Sequence, residues 1–283
     1  MDHLKAHTIQ FKNCVTQAFF PTLRWDAHNL AVNSDYQRTL RVNTLTIIIP
    51  VYKLSGLRLR NFRFILENLI ALECEVVVCE QHSDTNIDNH VIASGVRYTK
   101  LTIGDCGAIH KASLINHAVK NITSDYVWVI DADFYTKYST ILDYMKNSPC
   151  GLVRPFNSVL FLSENETSEL ITTGTSQLEG DYTANNQTGK FSFVVNTKLF
   201  NSVGGLNEQF VGWGFQDVDF VENRLPTDTS VGVVDQLAYH LYHERPPTDH
   251  VDHNYKLYSN TRHSTKHTSK KSPTLEYMGK NFA

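Results

Sequence analysis

The run Tyr126-Val127-Trp128-Val129-Ile130 has the β-branched and aromatic character of a buried strand, and it ends directly on Asp131-Ala132-Asp133. In an open α/β sheet, ligands collect beyond the carboxyl ends of the strands, where loop residues face a crevice. Two acids separated there by one small residue suit a hard divalent cation, which binds through oxygen, and such a cation can in turn grip a diphosphate. The plainer alternative is that both acids cap a helix starting near Thr136, since acids commonly open helices.

The chain around this motif alternates strand and helix. Thr46-Ile47-Ile48-Ile49-Pro50-Val51 is a β-branched run closed by proline and reads as a buried first strand. Leu59, Phe62, Ile65, Leu66, Leu69 and Ile70 recur at helical spacing, so residues 57–72 are expected to form an amphipathic helix. Glu75 to Glu80 reads as a second strand and Gly95 to Leu101 as a third. Ala108, Ala112, Ile115, Val119 and Ile122 mark another helix with one apolar face. This order predicts an α/β fold with a parallel sheet and covering helices.

Further on the pattern loosens. Residues 163–190 are rich in Ser, Thr, Asn and Gly, and a stretch of that length is expected to be a functional lid or acceptor loop. Lys190 to Asn196 recovers strand character, followed by a short helix ending at Gly204-Gly205. Residues 215–225 read as a helix and Leu237 to Tyr242 as a strand. Residues 1–43 read as an N-terminal arm. The segment from Thr261 onward carries Arg262, Lys266, Lys270 and Lys271 and reads as a basic, mobile tail.

Composition narrows the function classes. The 283 residues are 41% hydrophobic, enough for a packed core, and the net charge of −3 offers no overall basic field for nucleic acid or an anionic membrane. Five scattered cysteines without metal-type spacing look like reduced residues of a cytoplasmic protein. No apolar run approaches the ~18 residues of a membrane span, so a membrane anchor is not expected. Gly104 and Gly107 lack dinucleotide fingerprint spacing.

The segment Gly204-Gly205-Leu206-Asn207-Glu208-Gln209-Phe210-Val211-Gly212-Trp213-Gly214-Phe215-Gln216-Asp217-Val218-Asp219 closely resembles a signature of inverting GT-A glycosyltransferases. The likeness is strongest to the β-1,4-galactosyltransferase and chondroitin-polymerase branch. The first half is similar to the large nucleotide-sugar transferase family: a strand ending Ile49-Pro50-Val51-Tyr52, a strand ending Glu80-Gln81, the Lys111–Asn116 helix, then Asp131-Ala132-Asp133. Together these motifs span residues 46–247. The resemblance implies one mixed, mostly parallel GT-A domain over residues 44–260, with the arm before it and the basic tail, 261–283, after it.

The resemblance also implies roles. Asp133 becomes the direct metal ligand for Mn²⁺ or Mg²⁺, with Asp131 bridging to ribose or metal. A late histidine completes the site, and Tyr242-His243 before Pro246-Pro247 fits the family better than His240. In a continuous strand these two histidines would face opposite sides, so only one would reach the metal. Asp217 takes the place of the general base that a poorly nucleophilic hydroxyl requires, with Asp219 as the competing acid. Trp213, Gly214 and Gln216 fall on the acceptor side, Gln216 standing where many relatives have Glu. Pro50, Val51, Tyr52, Glu80, Lys111, Asn116, Asp131 and Ala132 fall on the donor side. The donor implied is a nucleotide sugar, most readily a UDP-sugar, and the acceptor a hydroxyl of a glycan or other large molecule, hydroxylated bases of phage-type DNA included. The competing readings are a non-catalytic glycan- or protein-binding module on the same scaffold and a nucleotidyltransferase. The latter would show a glycine-rich basic first loop, where Pro50-Val51-Tyr52-Lys53-Leu54-Ser55-Gly56 has one glycine.

Overall fold

The structure is a computed structural model that describes residues 45–72, 74–81, 87, 95–103, 107–174, 178, 182–185, 192–244 and 250–264. The expected N-terminal arm lies outside the described residues, and so does nearly all of the basic tail.

The first strand, β1 (Leu45–Val51), is buried along its whole length. Its parallel neighbours are β2 (Glu75–Gln81) and β4 (Tyr126–Ile130), and β3 (Arg97–Leu101) pairs in parallel with β2. Strand β9 (Ser192–Asn196) runs antiparallel between β4 and β6 (Leu152–Arg154), and β10 (Val231–Val233) closes that edge. The result is a seven-stranded sheet in the order β10-β6-β9-β4-β1-β2-β3.

Alternation along each strand sends side chains to two separate cores. Ile47, Ile49, Val76, Val78, Trp128 and Ile130 face helix α1 (Gly56–Ile70), which buries Phe62, Ile65, Leu66 and Leu69 against them. Ile48, Val77, Val127 and Val129 face helix α2 (Lys111–Val119), which buries Ala112, Leu114, Ile115 and Ala118. Burial of an isoleucine such as Ile47, Ile48 or Ile49 contributes about 1.5–3 kcal/mol relative to exposure. Trp128 is fully buried, and its indole N–H donates to Ser192 Oγ at 2.8 Å.

The β1/β4 ladder stops at Ile48↔Val129, while β1/β2 continues to Val51↔Glu80. Pro50 has no N–H with which to extend the ladder. The pairing of β1 with β4 therefore ends short of the carboxyl end of β1.

Asp131 and Asp133 do not cap the next helix. Helix α3 (Tyr138–Asn147) begins later than Thr136, its N-cap is Lys137, and no side chain caps it. Instead β5 (Phe134–Tyr135) joins a second sheet that sequence periodicity did not disclose, ordered β5-β11-β7-β8, with β7 (Ser158–Phe161), β8 (Tyr182–Asn185) and β11 (Leu237–His240).

The expected lid over residues 163–190 is in its first part a regular helix, α4 (Glu164–Thr173). Ser163 and Glu166 form a reciprocal capping box at its start, and Gly174 ends it at φ 70°. Most of the remainder of that stretch lies outside the described residues. Helix α5 (Thr197–Ser202) precedes the Gly204-Gly205 turn, and the helix read at 215–225 is one α turn, α6 (Gln216–Asp219), continuing into a π turn over Phe220–Arg224. Helix α7 (Val251–Ser264) crosses the boundary expected at residue 260. No helix among the described residues is long and apolar enough to cross a membrane.

Candidate active site

The second sheet assembles the metal-type ligands. Antiparallel pairing of β5 with β11 sets His240 opposite Phe134, and Leu241 N–H donates to Asp133 C=O at 2.8 Å. Strand β11 ends at His240, and Leu241–Glu244 is irregular, so strand alternation does not govern His243. The expectation that the two histidines face opposite sides is thereby corrected. His243 Nε2 lies 2.9 Å and His240 Nε2 3.9 Å from Asp133 Oδ2. One ligand atom from each of Asp133, His240 and His243 falls within 4.8 Å of the others.

The hydrogen bonds indicate what this cluster is built to hold. His243 Nδ1 is 2.7 Å from Glu244 C=O, and a carbonyl only accepts, so Nδ1 carries a proton. In the neutral ring Nε2 then presents a lone pair to a carboxylate oxygen 2.9 Å away. Two acceptors so close require a positive charge between or beside them, either a proton or a metal ion. A backbone carbonyl fixing the tautomer through the far ring nitrogen is the usual arrangement for a metal-bound histidine. Asp133 Oδ1 and His243 Nε2 are buried without a hydrogen-bond partner, so both have capacity for a cation.

The three groups also shift one another's protonation. Burial works to raise the Asp133 carboxyl, but the His240 and His243 rings and Arg58 outweigh it and hold it below the usual carboxylate range. Burial disfavours the His243 imidazolium, yet the Asp133 carboxylate reverses this and lifts it. His240 is pushed down, chiefly by burial. Its ring is wedged between Phe134 and Phe161, with centroids 4.9 and 4.7 Å away.

A lysine connects this region to the Gly-Trp-Gly segment. Lys111, the first residue of α2, places Nζ 2.8 Å from Asp131 Oδ1 and 3.0 Å from Asp217 Oδ2. Burial would lower the ammonium, but the two carboxylates outweigh it and hold it above its ordinary value. Asp131 is pushed up to about 6 by burial, with Asp217 and Asp133 adding to the rise against the opposing pull of Lys111. The other oxygen of Asp217, Oδ1, is buried and makes no hydrogen bond.

Around Asp217 the chain is tightly turned. Gly212 and Gly214 have φ of 68° and 99°, and Phe215, which caps α6, has φ 69°. Trp213 is 39% exposed. Gln216 is 4% exposed, and its amide donates to Gly212 C=O at 2.5 Å, so its N–H holds the turn rather than facing outward. Asp219 is fully buried and accepts from Asn223 at 2.8 Å, away from Lys111.

On the donor side, Pro50 and Val51 end β1 and Tyr52 comes next, with the Lys53 ammonium 4.9 Å from the Tyr52 ring centre. Glu80 is 1% exposed, which rules out a surface carboxylate. The Tyr98 hydroxyl donates to Glu80 Oε2, and Lys100 lies 3.7 Å from the same oxygen. Both partners come from β3, and their signal is the register Glu80↔Lys100, which a single sequence does not display. Asn116 is engaged by the Leu206–Glu208 segment. Its amide N–H groups donate to Leu206 C=O and Glu208 Oε1 at 2.9 and 2.8 Å, and its oxygen accepts from Leu206 N–H at 2.9 Å. A Cβ on Gly205 would collide with that oxygen, so glycine is needed for the close approach. Ala132 packs at the edge of the α1-side core.

No protein-family model and no curated protein matches the sequence. Solved structures do. Glucosyl-3-phosphoglycerate synthase from Mycobacterium tuberculosis, in complex with Mn²⁺, UDP-glucose and glycerol 3-phosphate, matches with a TM-score of 0.52 at 13% identity, over 81% of this chain and 82% of its own. GalNAc-T7 with UDP, GalNAc and Mn²⁺ matches with a TM-score of 0.53 at 11% identity, over 78% of this chain and 48% of its own. At such identities the likeness speaks to architecture alone, and the architecture is that of a GT-A-like fold, a single mixed and mostly parallel α/β domain.

Proposed function

We propose that this chain is a metal-dependent, inverting glycosyltransferase that moves a sugar from a UDP-sugar to a hydroxyl of a glycan or other large acceptor, hydroxylated DNA bases included. The observation that carries the reading is the clustering of Asp133, His240 and His243 after β4, where His243 Nε2 and Asp133 Oδ2 face each other at 2.9 Å and a metal ion would satisfy both. Solved structures of the same fold contain Mn²⁺ with UDP or UDP-glucose, which agrees with that cation and donor.

Asp133, His243 and His240 would hold Mn²⁺ or Mg²⁺. When bound, the ion would offset charge that develops on the leaving diphosphate. Pro50, Val51, Tyr52, Ala132 and the Glu80–Tyr98–Lys100 group would border the nucleoside. Lys111 takes a different part from a simple phosphate contact: it fixes Asp131 and Asp217 Oδ2 in one orientation. That leaves Asp217 Oδ1 to take the proton of the acceptor hydroxyl. The acceptor oxygen then forms its bond to the anomeric carbon, and the electron pair of the breaking bond leaves with UDP. One displacement inverts the centre. Trp213 offers an exposed flat face for the acceptor. Asn116, Gln216 and Gly214 contribute through the loop they shape.

The test is a panel of nucleotide sugars incubated with the protein in Mn²⁺ or in chelator. UDP release is expected from one donor in Mn²⁺ and at background level in chelator. Tight metal-dependent UDP binding with no turnover of any donor would favour a binding module. Equal UDP affinity in Mn²⁺ and chelator would overturn the metal assignment.

A further inference from the structure

The segment that carries Asp217 has a backbone that needs outside support. Gly212, Gly214 and Phe215 all have positive φ. For a phenylalanine this region is unfavourable, and it persists only where the surroundings over-determine it. The Gln216 amide and the Ile109 carbonyl, which accepts from Gly212 N–H at 2.8 Å, supply part of that support, and the rest comes from helix α7, which lies beyond the last residue of the family resemblance.

Asn254 of that helix is fully buried. Its amide N–H groups donate to Val211 C=O at 2.8 Å, Trp213 C=O at 3.0 Å and Gly214 C=O at 3.2 Å, and its oxygen faces Val211 N–H at 3.4 Å. A single side chain thus satisfies several carbonyls of a turn that cannot form regular structure. Further along, the same helix holds the residues on the other side of the turn. The Phe215 ring packs against Tyr255 and Tyr258 at 5.5 and 5.4 Å between centres. The Tyr258 hydroxyl donates to Glu222 at 2.5 Å, and Tyr258 C=O accepts from Asn223 at 3.4 Å. Helix α7 therefore grips the chain both before and after Asp217.

We propose that Asn254 is a positioning residue that fixes the Val211–Phe215 turn, and through it the placement of Trp213 and of Asp217 Oδ1. The proposal rests on the reading of Asp217 as the base. It assigns the helix at Val251–Ser264 to the reacting side of the domain, not to its periphery. A purely structural role would lower stability and every activity together. A positioning role separates turnover from donor binding, because the donor-side residues lie at the ends of β1, β2 and β4, on β3 and on α2, and the hydrogen bonds of Asn254 go to Val211, Trp213 and Gly214 instead.

The experiment compares wild-type protein with Asn254→Ala and Asn254→Asp. The aspartate keeps the size but turns an oxygen toward three carbonyls; the alanine removes the contacts without repulsion and carries the test if the aspartate variant does not fold. In Asn254→Ala, amide hydrogen exchange is expected to speed up in the peptide covering residues 208–217 while β1 and β4 remain protected. The Kd for UDP with Mn²⁺ should stay within about twofold, whereas kcat for hydrolysis of the UDP-sugar should fall by about 10²-fold, the scale on which a misplacement of about 1 Å acts. Unchanged exchange at 208–217, unchanged kcat, or a parallel loss of Kd and kcat would each overturn the proposal. Failure of the wild-type protein to bind UDP or to hydrolyse any donor would instead count against the glycosyltransferase reading, and the exchange measurement would still decide whether Asn254 holds the turn.

Discussion

Asp217 and Asp219 share a type and a neighbourhood, and two residues of spacing give them opposite surroundings. Each keeps one buried oxygen without a partner, but the other oxygen of Asp217 faces the Lys111 ammonium shared with Asp131, whereas that of Asp219, a fully buried residue, accepts from the Asn223 amide. Asp217→Asn is expected to lower kcat by about 10²–10⁴-fold, the usual cost of losing a general base, with UDP affinity nearly unchanged. Asp219→Asn should leave kcat close to wild type and act on thermal stability instead. Near wild-type turnover of Asp217→Asn, or a product that keeps the donor's anomeric configuration, would sink the base assignment. The acids at Asp131 and Asp133 were legible in the sequence because a strand that ends on carboxylates announces where they are. The histidine pair was only half legible. Its reading turned on whether the strand continued past His240, and that end is set by the pairing with β5.

Among the elements, the four-stranded sheet was the least visible in sequence. Its members are short, and their pairing joins Phe134–Tyr135 to residues a hundred positions away. Helix α4, by contrast, carried a readable signal in Ser163-Glu164-Asn165-Glu166, the spacing of a capping box, which the polar composition of the wider stretch obscured. That helix also supports the segment that carries His243. Thr167 Oγ1 accepts from Tyr242 N–H at 2.8 Å, while Asn61 of α1 donates to Tyr242 C=O at 2.9 Å, so the residue preceding His243 is held from two helices. Thr167→Val is expected to weaken Mn²⁺ affinity by about tenfold, the low end of the effect of outer-shell groups on a metal. Ser163→Ala should lower stability by about 1 kcal/mol through loss of the cap and leave Mn²⁺ affinity within about twofold. Calorimetric titration and urea unfolding of the two variants separate these effects. Equal Mn²⁺ affinity in Thr167→Val and wild type would mean that His243 does not depend on this support.

At the scale of the whole molecule, the parallel sheet β4-β1-β2-β3 was legible because β1, β2 and β4 are largely apolar and helices α1 and α2 follow β1 and β3; β3 itself, with Arg97, Thr99 and Lys100, carries less of that signal. The antiparallel insertion of β9 was not legible, because Lys190 to Asn196 reads as a strand of either direction. What the two sheets do together is bring the segment after β4 beside the end of β11 and the residues that follow it. The cation they are proposed to hold would bind only the folded arrangement, because Asp133 and His243 lie far apart in sequence. A ligand confined to the native state stabilises it by mass action, by about 2.7 kcal/mol at a hundred times its Kd. For a domain of this size each kcal/mol moves the midpoint by about 2–4 °C, so UDP with Mn²⁺ near that saturation should raise Tm by about 5–10 °C. UDP in chelator should raise it little. His243→Ala should abolish most of the rise, and His240→Ala should reduce it as well, since both rings approach Asp133. Differential scanning calorimetry decides the matter: a full shift that survives both histidine substitutions would place the cation elsewhere.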